Sequence, residues 1–362
     1  MTYDEEARPD TSVVLNVHAA PEHAVQDHAG AQRLEAVNLA VAATAPHDPG
    51  GSVADAALQG LLAPRKTLPP ALFYDEEGCR LFYEITRLPE YYLTRTEFRL
   101  LQTTAPEVAA QLPPGATLVE YGASDETKAE MLLGQTVRTG SAAGKPVFRT
   151  YIPIDVAGPE LRAMRERLAQ RRPDLAVTPV TADFLRPIAL PRPDSDSAIM
   201  GFFPGSTIGN LEPDSAIAFL HRARLCLGLE ARFLLGFDTC RDPERLVPAY
   251  DDPAGVTAAF NRNLLIRLNR EAGATFDPQA FAHRAIWNAA ESRIEMHLVS
   301  LVPQTVLVAG QPVRFAREET IHTENSYKYA PARMRGMAAA AGWSLTKKWS
   351  DSNDLFALWL LD

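Results

Sequence analysis

Acidic and small residues stand where five predicted strands end, and their side chains could hold a nucleoside. Glu120-Tyr121-Gly122-Ala123-Ser124 occupies the place of an acidic-x-Gly-x-Gly loop, in which a glycine lets the backbone approach a ligand. Asp155 could accept both hydroxyls of a ribose, and Asp183 beside Phe184 suits an adenine. Each acid could instead cap a helix, and the first loop could be an ordinary turn. Recurrence at successive strand ends favours a nucleoside, and the lack of a full Gly-x-Gly-x-x-Gly favours S-adenosylmethionine over a dinucleotide.

Two further groups of polar residues could bind a small amine or ring. Asn210 follows the fourth predicted strand, and its amide can accept from an amine and donate to a carboxylate. A glycine-rich turn with an Asn cap is the alternative. Glu324 and Ser326 are two residues apart, so in a strand they face the same side and could hold a polar ring by both nitrogens. A solvated loop is the alternative there.

The sequence predicts no metal site. Asp251-Asp252 are adjacent acids, but no His or third acid stands at ligand spacing, which favours a solvated turn or a helix start. The histidines near the N-terminus also lack a tight spacing; they are His18, His23, His28 and His47.

Strands and helices alternate through the middle of the chain, which predicts how these side chains are positioned. Apolar runs typical of strands lie at 117–121, 147–154, 177–181, 198–203 and 232–237, with helical segments between most of them. Such alternation predicts a parallel, doubly wound α/β sheet with helices on both faces. Ligands bind such sheets at the carboxyl ends of the strands, where the acidic and small residues stand.

The chain after Asp238 predicts a second, α+β unit. Residues 243–270 are mostly helical, strand-like alternation follows at 293–301 and 305–307, and a hairpin turn is expected at 308–311. A helix at 330–341 and strands at 344–349 and 356–361 would then complete the first sheet. Before the sheet, helices are expected at 54–62, 81–86 and 95–103, the last opened by a capping box of Thr94 and Glu97.

Composition narrows the class of protein. The 362 residues suffice for two domains, and a net charge of −9 without long basic runs argues against nucleic-acid binding. The three cysteines argue against a disulfide framework and favour a reducing, cytoplasmic compartment. No membrane span and no secretory signal are predicted. Residues 1–52 are expected to be a weakly ordered leader.

Taken together, these motifs resemble the L-histidine Nα-methyltransferases of ergothioneine biosynthesis, from about residue 53 to the end. The motifs that carry the resemblance are Leu68-Pro69-Pro70, Phe73-Tyr74-Asp75, Ile85-Thr86-Arg87-Leu88-Pro89-Glu90-Tyr91-Tyr92, Gly205-Ser206-Thr207-Ile208-Gly209-Asn210, Ala249-Tyr250-Asp251-Asp252, Gly255-Val256-Thr257-Ala258-Ala259-Phe260-Asn261, Ile294-Glu295-Met296 and Thr323-Glu324-Asn325-Ser326. The resemblance implies a class I methyltransferase sheet of the Rossmann-like type with a second α+β substrate-binding domain. No metal is implied, and a monomer is expected; that no nucleic acid and no membrane is a partner follows from the composition described above.

The resemblance also implies residue roles and domain bounds. The substrate domain would comprise 53–94 and 241–326, and the S-adenosylmethionine domain 95–240 and 327–362. For the amino acid, the implied residues are Tyr74 near the reacting nitrogen, Tyr91, Asn210 and Tyr250 at the carboxylate and amine, Glu324 and Ser326 at the imidazole, Met296 beneath it, and Thr257 and Asn325 nearby. For the cofactor they are Gly122, Lys128, Asp155, Asp183 and Phe184. Tyr74 and Asn210 are the expected catalytic pair.

Two departures from the family pattern leave alternatives. Gly122-Ala123-Ser124 lacks the family's second glycine, which predicts altered cofactor affinity, and the leader is longer than usual. One rival function is methylation of another free amino acid such as tryptophan, although an indole cannot satisfy Glu324 as an imidazole can. The other is a module that binds histidine or the cofactor without turnover.

Overall fold

The computed structural model describes residues 52–137, 144–191 and 197–362. The predicted leader lies outside the described residues, apart from its last residue, Ser52. Ser52 caps the first helix, since its hydroxyl accepts from the Asp55 N–H while the Asp55 carboxylate accepts from the Ser52 N–H. Of the helices in the described ranges, none is both long and apolar enough to span a bilayer.

The described elements are as follows in chain order. The helices are α1 (Val53–Leu61), α2 (Glu76–Ile85), α3 (Tyr92–Ala109), α4 (Thr127–Leu133), α5 (Gly158–Arg171), α6 (Pro213–Leu227), α7 (Pro243–Tyr250), α8 (Val256–Glu271) and α9 (Pro331–Ala340). The strands are β1 (Lys66–Thr67), β2 (Ala116–Tyr121), β3 (Thr136–Val137), β4 (Lys145–Pro146), β5 (Phe148–Asp155), β6 (Ala176–Val177), β7 (Val180–Thr181), β8 (Ile199–Phe203), β9 (Arg232–Asp238), β10 (Phe281–Asn288), β11 (Arg293–Ser300), β12 (Gln304–Val308), β13 (Gln311–Phe315), β14 (Thr320–Tyr327), β15 (Leu345–Ser350) and β16 (Phe356–Leu361). Short 3₁₀ turns lie at Pro70–Phe73, Thr207–Asn210 and Pro278–Ala280.

The larger sheet has the order β15-β16-β9-β8-β2-β5-β6, with β7 also paired to β5. The pairs among β2, β5, β6, β7, β8 and β9 are parallel, and β16 runs antiparallel to both of its neighbours. From β2 the chain winds outward to β6 and β7, then returns to the other side of β2 as β8 and β9. The order therefore reverses between β2 and β8, where doubly wound sheets bind ligands. This topology confirms the predicted fold class, including the closing hairpin.

Burial on both faces explains why the parallel strands are nearly continuous apolar runs. Every residue of the parallel strand β2 is buried. The same holds for β16, the antiparallel strand beside β9. One predicted strand differs, because the 177–181 run forms two separate two-residue strands, β6 and β7, instead of one. These lie at the edge of the sheet, where a strand has a partner on one side only.

The smaller sheet has the order β1-β14-β11-β10, with β1 parallel to β14 and the other pairs antiparallel. The hairpin predicted at 308–311 is confirmed: β12 and β13 are joined at Ala309-Gly310, both with positive φ. Strand β10 was not predicted, because its apolar residues do not alternate with polar ones: they come in two runs, 281–282 and 285–287, separated by His283 and Arg284.

Helix α3 begins earlier than predicted. Thr94 does not cap it: the helix starts at Tyr92, whose ring is buried together with Leu93, and these side chains extend the apolar face by most of a turn. Glu97 is also not part of a capping box. Its carboxylate is fully buried and accepts from the Gly205 N–H, 2.8 Å away.

Candidate active site

The carboxyl ends of β2, β5 and β7 meet at one edge of the larger sheet. The Gly122 N–H donates to the carbonyl oxygen of Ile154 at 2.9 Å, and the Ala182 N–H donates to that of Asp155 at 3.0 Å. Gly122, Asp155 and Asp183 therefore follow one another along this edge, as the sequence predicted from their strand ends.

The loop after β2 leaves an open cradle beside an aromatic side chain. Gly122 has φ +73°, and a Cβ there would lie 3.6 Å from the ring of Phe184. That ring packs edge-on against Phe203 and Phe219, at centroid distances of 5.5 and 5.6 Å. A flat ring can lie on such a surface, which fits the adenine expected here. Ser124 does not adopt a positive φ, so this backbone requires one glycine rather than two.

Neither Asp155 nor Asp183 caps a helix: each carboxylate accepts from the backbone N–H two residues further on and keeps acceptor capacity for a ligand. Asp155 Oδ1 accepts from the Ala157 N–H at 2.9 Å, just before α5, and Asp183 Oδ1 accepts from the Leu185 N–H at 2.8 Å. Burial raises the pKa of Asp155, and the backbone N–H groups oppose that shift. A carboxylate offers about four acceptor sites, so one N–H leaves room for ribose hydroxyls.

Lys128 joins the cofactor edge to the loop after β8. Its Nζ lies 2.5 Å from Glu97 Oε2, and a Cβ on Gly205 would lie 3.4 Å from the same Nζ. Because Glu97 also accepts from the Gly205 N–H, one buried carboxylate holds both the lysine and the loop. Lys128 thus borders the predicted cofactor site with its charge already paired.

The loop after β8 is tightly constrained and carries Asn210. Gly205 and Ser206 both have positive φ, at +79° and +58°. The Ser206 hydroxyl accepts from the Asp238 N–H at 3.0 Å. A Cβ on Gly209 would lie 2.6 Å from the carbonyl oxygen of Tyr327, so the turn packs directly on the end of β14. This contact brings Asn210 to the residues of β14.

Glu324 is the buried carboxylate of the site. It is 8 % exposed, and the Asn210 side-chain amide donates to its Oε1 at 3.2 Å. Burial raises its pKa to about 8, against the opposing charge of Lys328. Met296 stands directly opposite Glu324 on β11 and is also buried, so the two share one face of the sheet.

Ser326 follows on the same face and forms a polar cluster with Tyr250. The two hydroxyl oxygens lie 2.8 Å apart, and Lys328 Nζ donates to both, at 2.8 Å to Tyr250 and 3.0 Å to Ser326. The same Nζ lies 2.8 Å from Asp238 Oδ2. The expected neighbours Glu324, Ser326 and Tyr250 are therefore brought together, over a buried ion pair.

An aromatic row leads from this cluster to Tyr74. Ring centroids lie 6.0 Å apart for Tyr250 and Tyr91, 6.5 Å for Tyr91 and Phe82, and 6.1 Å for Phe82 and Tyr74. Although Tyr74 is 38 % exposed, surrounding protein and the charge of Glu324 raise the pKa of its hydroxyl well above its usual value. Burial does the same for Tyr91 and Tyr250. All three hydroxyls are protonated donors at neutral pH.

Thr257 and Asn325 are placed differently. Thr257 is the second residue of α8, and its N–H donates to the Asp252 carboxylate at 2.8 Å. Asp252 therefore lies at a helix start, one of the two predicted alternatives, whereas Asp251 follows the end of α7. The Thr257 hydroxyl is buried without a hydrogen-bond partner among the described residues. Asn325 lies on the opposite face of β14 from Glu324, and its amide donates to Glu212 at 2.7 Å. The structure does not place its side chain with the predicted group.

The structure adds residues that the sequence reasoning did not assign to the site. Phe82 lines the aromatic row, Glu97 holds the loop after β8, and Asp238 and Lys328 form the buried pair. Lys328 had an available signal, since it continues the two-residue alternation of Glu324 and Ser326. Glu97 had none, because its partner stands 108 residues away.

Glu295, His297 and His322 form a separate cluster on the other face of β11. One ligand atom from each lies within 4.8 Å of the others, which is the arrangement of a possible metal site. Glu295 is already ion-paired to Arg293 at 2.7 Å, and the two imidazole rings stack at 4.7 Å. That no metal is bound stays a prediction.

Comparisons with known proteins identify the family of the chain. The family model described as a histidine-specific, S-adenosylmethionine-dependent methyltransferase matches residues 53–362. The Histidine N-alpha-methyltransferase of Mycolicibacterium smegmatis is 42 % identical over 303 residues, covering 83 % of this chain and 91 % of that protein. The protein of the same name from Mycobacterium tuberculosis is 40 % identical over 302 residues, with the same coverage of 83 % and 91 %. A solved S-adenosylmethionine-dependent methyltransferase from Clostridium acetobutylicum aligns with a TM-score of 0.44 at 10 % identity, over 78 % of this chain and 98 % of that one. The chain belongs to the family of histidine-specific, S-adenosylmethionine-dependent methyltransferases.

Proposed function

We propose that the chain methylates the α-amine of free L-histidine three times, giving the trimethylated betaine hercynine, as the first step of ergothioneine biosynthesis. The observation that carries this is the pair Glu324 and Ser326, side by side on one face of β14 with Met296 opposite. A carboxylate and a hydroxyl suit a ring with one N–H and one bare nitrogen. An indole has a single N–H and would leave one buried group without a partner.

The cofactor end of the site is proposed at the edge shared by β2, β5 and β7. When bound, S-adenosylmethionine supplies an electrophilic methyl group. The aromatic face of Phe184 and the space above Gly122 fit the adenine, and Asp155 offers acceptors to the ribose. Asp183 lies next to Phe184 at the same edge. Lys128 retains N–H donors beyond the one used by Glu97, and these fit an anionic group.

The acceptor end must present a neutral amine in line with the methyl group. Tyr91, Asn210 and Tyr250 are proposed to hold the carboxylate and amine. Tyr74 and Asn210 orient the nitrogen's lone pair and pass its proton toward water, with no covalent bond to the protein. Because Tyr74 stays protonated at neutral pH, it acts as a hydrogen-bond partner and not as a strong base. Positioning of this kind can supply most of the acceleration.

The predicted division of the chain remains a proposal, and the packing supports it. One hydrophobic core draws its buried residues from between Ala57 and Leu93 and between Cys240 and Ile321. A second core runs from Val119 to Leu361 and leaves out that central stretch. We therefore propose substrate binding for 53–94 and 241–326, and cofactor binding for 95–240 and 327–362. A monomer working without a metal, in the cytoplasm, is part of the same proposal.

Mass spectrometry of the purified protein with S-adenosylmethionine and each of the twenty amino acids tests the function. A gain of three methyl groups on histidine alone is the expected result. Methylation of tryptophan or another amino acid instead would overturn the roles of Glu324 and Ser326, and cofactor binding without product would indicate a binding module. Asn210→Ala should lose turnover while it keeps its cofactor affinity. Normal turnover in that variant would refute the proposed orientation of the amine.

A further inference from the structure

A fully buried lysine lies beneath the proposed imidazole site. Lys328 follows β14 directly and, like Asp238 at the end of β9, is 0 % exposed. Its Nζ contacts Asp238 Oδ2 at 2.8 Å, the Tyr250 hydroxyl at 2.8 Å and the Ser326 hydroxyl at 3.0 Å. An ammonium has three protons, and these three acceptors use all of them. Lys328 therefore has no donor left for a ligand.

Asp238 is held as firmly as its partner. Its Oδ1 accepts from the Cys240 N–H at 2.9 Å, and its Oδ2 also accepts from the Tyr92 hydroxyl at 2.7 Å. A buried ion pair with its remaining hydrogen bonds satisfied keeps one geometry, because any other leaves a buried charge without a partner. The position of the Lys328 ammonium is thus set by Asp238 before any substrate arrives.

The ammonium restricts what the two hydroxyls above it can do. Tyr250 and Ser326 each accept one N–H from Lys328, and the two oxygens lie 2.8 Å apart, so they share one further hydrogen bond. Two hydroxyls carry two protons, and the bond between them uses one. Whichever hydroxyl donates internally, one proton remains to be donated outward. Because both oxygens already accept from Lys328, the pair acts as a hydrogen-bond donor, and not as an acceptor, toward the proposed imidazole site.

We propose, on the basis of the proposed function, that Lys328 is a positioning residue that sets the Tyr250–Ser326 pair as a donor and so determines how the histidine ring is bound. The donor pair requires a bare ring nitrogen, and Glu324, once it has ionised on binding, requires a ring N–H. Only the neutral imidazole, in one tautomer, meets both conditions. Lys328 thus contributes to the choice of substrate without touching it.

A double-mutant cycle tests this assignment. Lys328→Met removes the ammonium and keeps most of the side-chain volume, and Ser326→Ala removes the hydroxyl that it orients. Steady-state kinetics with histidine, and calorimetric binding of the cofactor, are measured for the two single variants and the double variant. Lys66→Met is the matched control, because Lys66 also forms an ion pair, with Glu319, on the same sheet but outside the site.

The expected result is that Lys328→Met raises the KM for histidine about tenfold, because the hydroxyl pair is no longer oriented and the hydrogen bond it makes to the ring loses about its usual net contribution. The change in kcat is expected to be small, and the cofactor affinity should be unchanged. The double variant should have a KM close to that of Ser326→Ala, because Lys328 acts on the ring through the hydroxyl that Ser326→Ala removes. Lys66→Met should keep the wild-type KM.

Multiplicative effects in the double variant, or an unchanged KM in Lys328→Met, would overturn the inference. If Lys328→Met does not fold, the variant with both Lys328→Met and Asp238→Asn removes the pair without leaving one charge alone, and the cycle is repeated in that background with Asp238→Asn as its reference. A wild-type protein that methylates another amino acid, and not histidine, would refute the proposed function instead. The wild-type assay therefore separates the two failures.

Discussion

The buried carboxylate of Glu324 should release a proton when the histidine ring binds. Burial raises its pKa from 4.5 to about 8. At pH 7 a group with that pKa is about 90 % protonated, whereas a carboxylate that accepts a ring N–H is ionised. Binding at pH 7 should thus release about 0.9 proton from Glu324. It should also be about tenfold weaker at pH 7 than at pH 9, which corresponds to about 1.4 kcal/mol.

Isothermal calorimetry in two buffers of different ionisation enthalpy measures the released proton directly. The trimethylated product is the best ligand, because its α-nitrogen carries no proton and so cannot add to the protons released on binding. Glu324→Gln is the control, since an amide cannot titrate, and its binding should release no proton from this position. Proton release near zero in the wild-type protein, or equal release in Glu324→Gln, would refute the assignment of this carboxylate to the ring N–H.

Three further predictions concern the loops and the core. Gly209→Ala places a Cβ 2.6 Å from the Tyr327 carbonyl oxygen, so kcat/KM for histidine should fall at least about tenfold in steady-state assays, whereas Gly336→Ala, where a Cβ meets nothing within 4 Å, should leave it unchanged. Ser124→Gly restores the family's second glycine where no positive φ requires it, so calorimetry should show an unchanged cofactor affinity. Thermal unfolding should show a loss of stability of about 0.4–1 kcal/mol, because glycine increases the entropy of the unfolded chain. Burial raises the pKa of Glu120 to about 8, so the folded state holds a proton that the unfolded state loses above about pH 4.5; stability should fall as pH rises from about 5 to about 8, and Glu120→Gln should reduce that slope in urea unfolding.

The sequence predicted the larger sheet well because its strands are buried on both faces. Strands β2 and β9 are mostly apolar runs that end in small or acidic residues, so the sequence alone indicates where each strand begins and ends. Strand β10 was missed because its apolar residues come in two short runs and do not alternate with polar ones. The start of helix α3 was predicted too far along the chain, because Thr94 and Glu97 match a capping box by sequence. In the structure the Glu97 carboxylate binds the Gly205 N–H instead, and the helix begins at Tyr92.

The site was predicted in part, and the limit was distance along the chain. Glu324 and Ser326 could be paired because their spacing within a strand determines which way they face. The spacing could not reveal the partners that hold them: Asn210 stands 114 residues from Glu324, and Tyr250 stands 76 residues from Ser326. Asn325 belongs to the same motif as Glu324 and Ser326 and was predicted to bind the substrate with them. The pleat of the strand instead turns its side chain to the other face, toward Glu212.

The ion pair of Asp238 and Lys328 also joins the two ends of an insertion. The chain leaves the larger sheet at Asp238, and Lys328 begins its return, with about 90 residues between them. Their side chains meet at 2.8 Å, so the pair closes the base of the loop that the intervening segment forms. Closing a loop of that length costs little more entropy than closing a shorter one. The segment can therefore change in length while residues 95–240 and 327–362 keep their fold, provided that Asp238 and Lys328 stay in place.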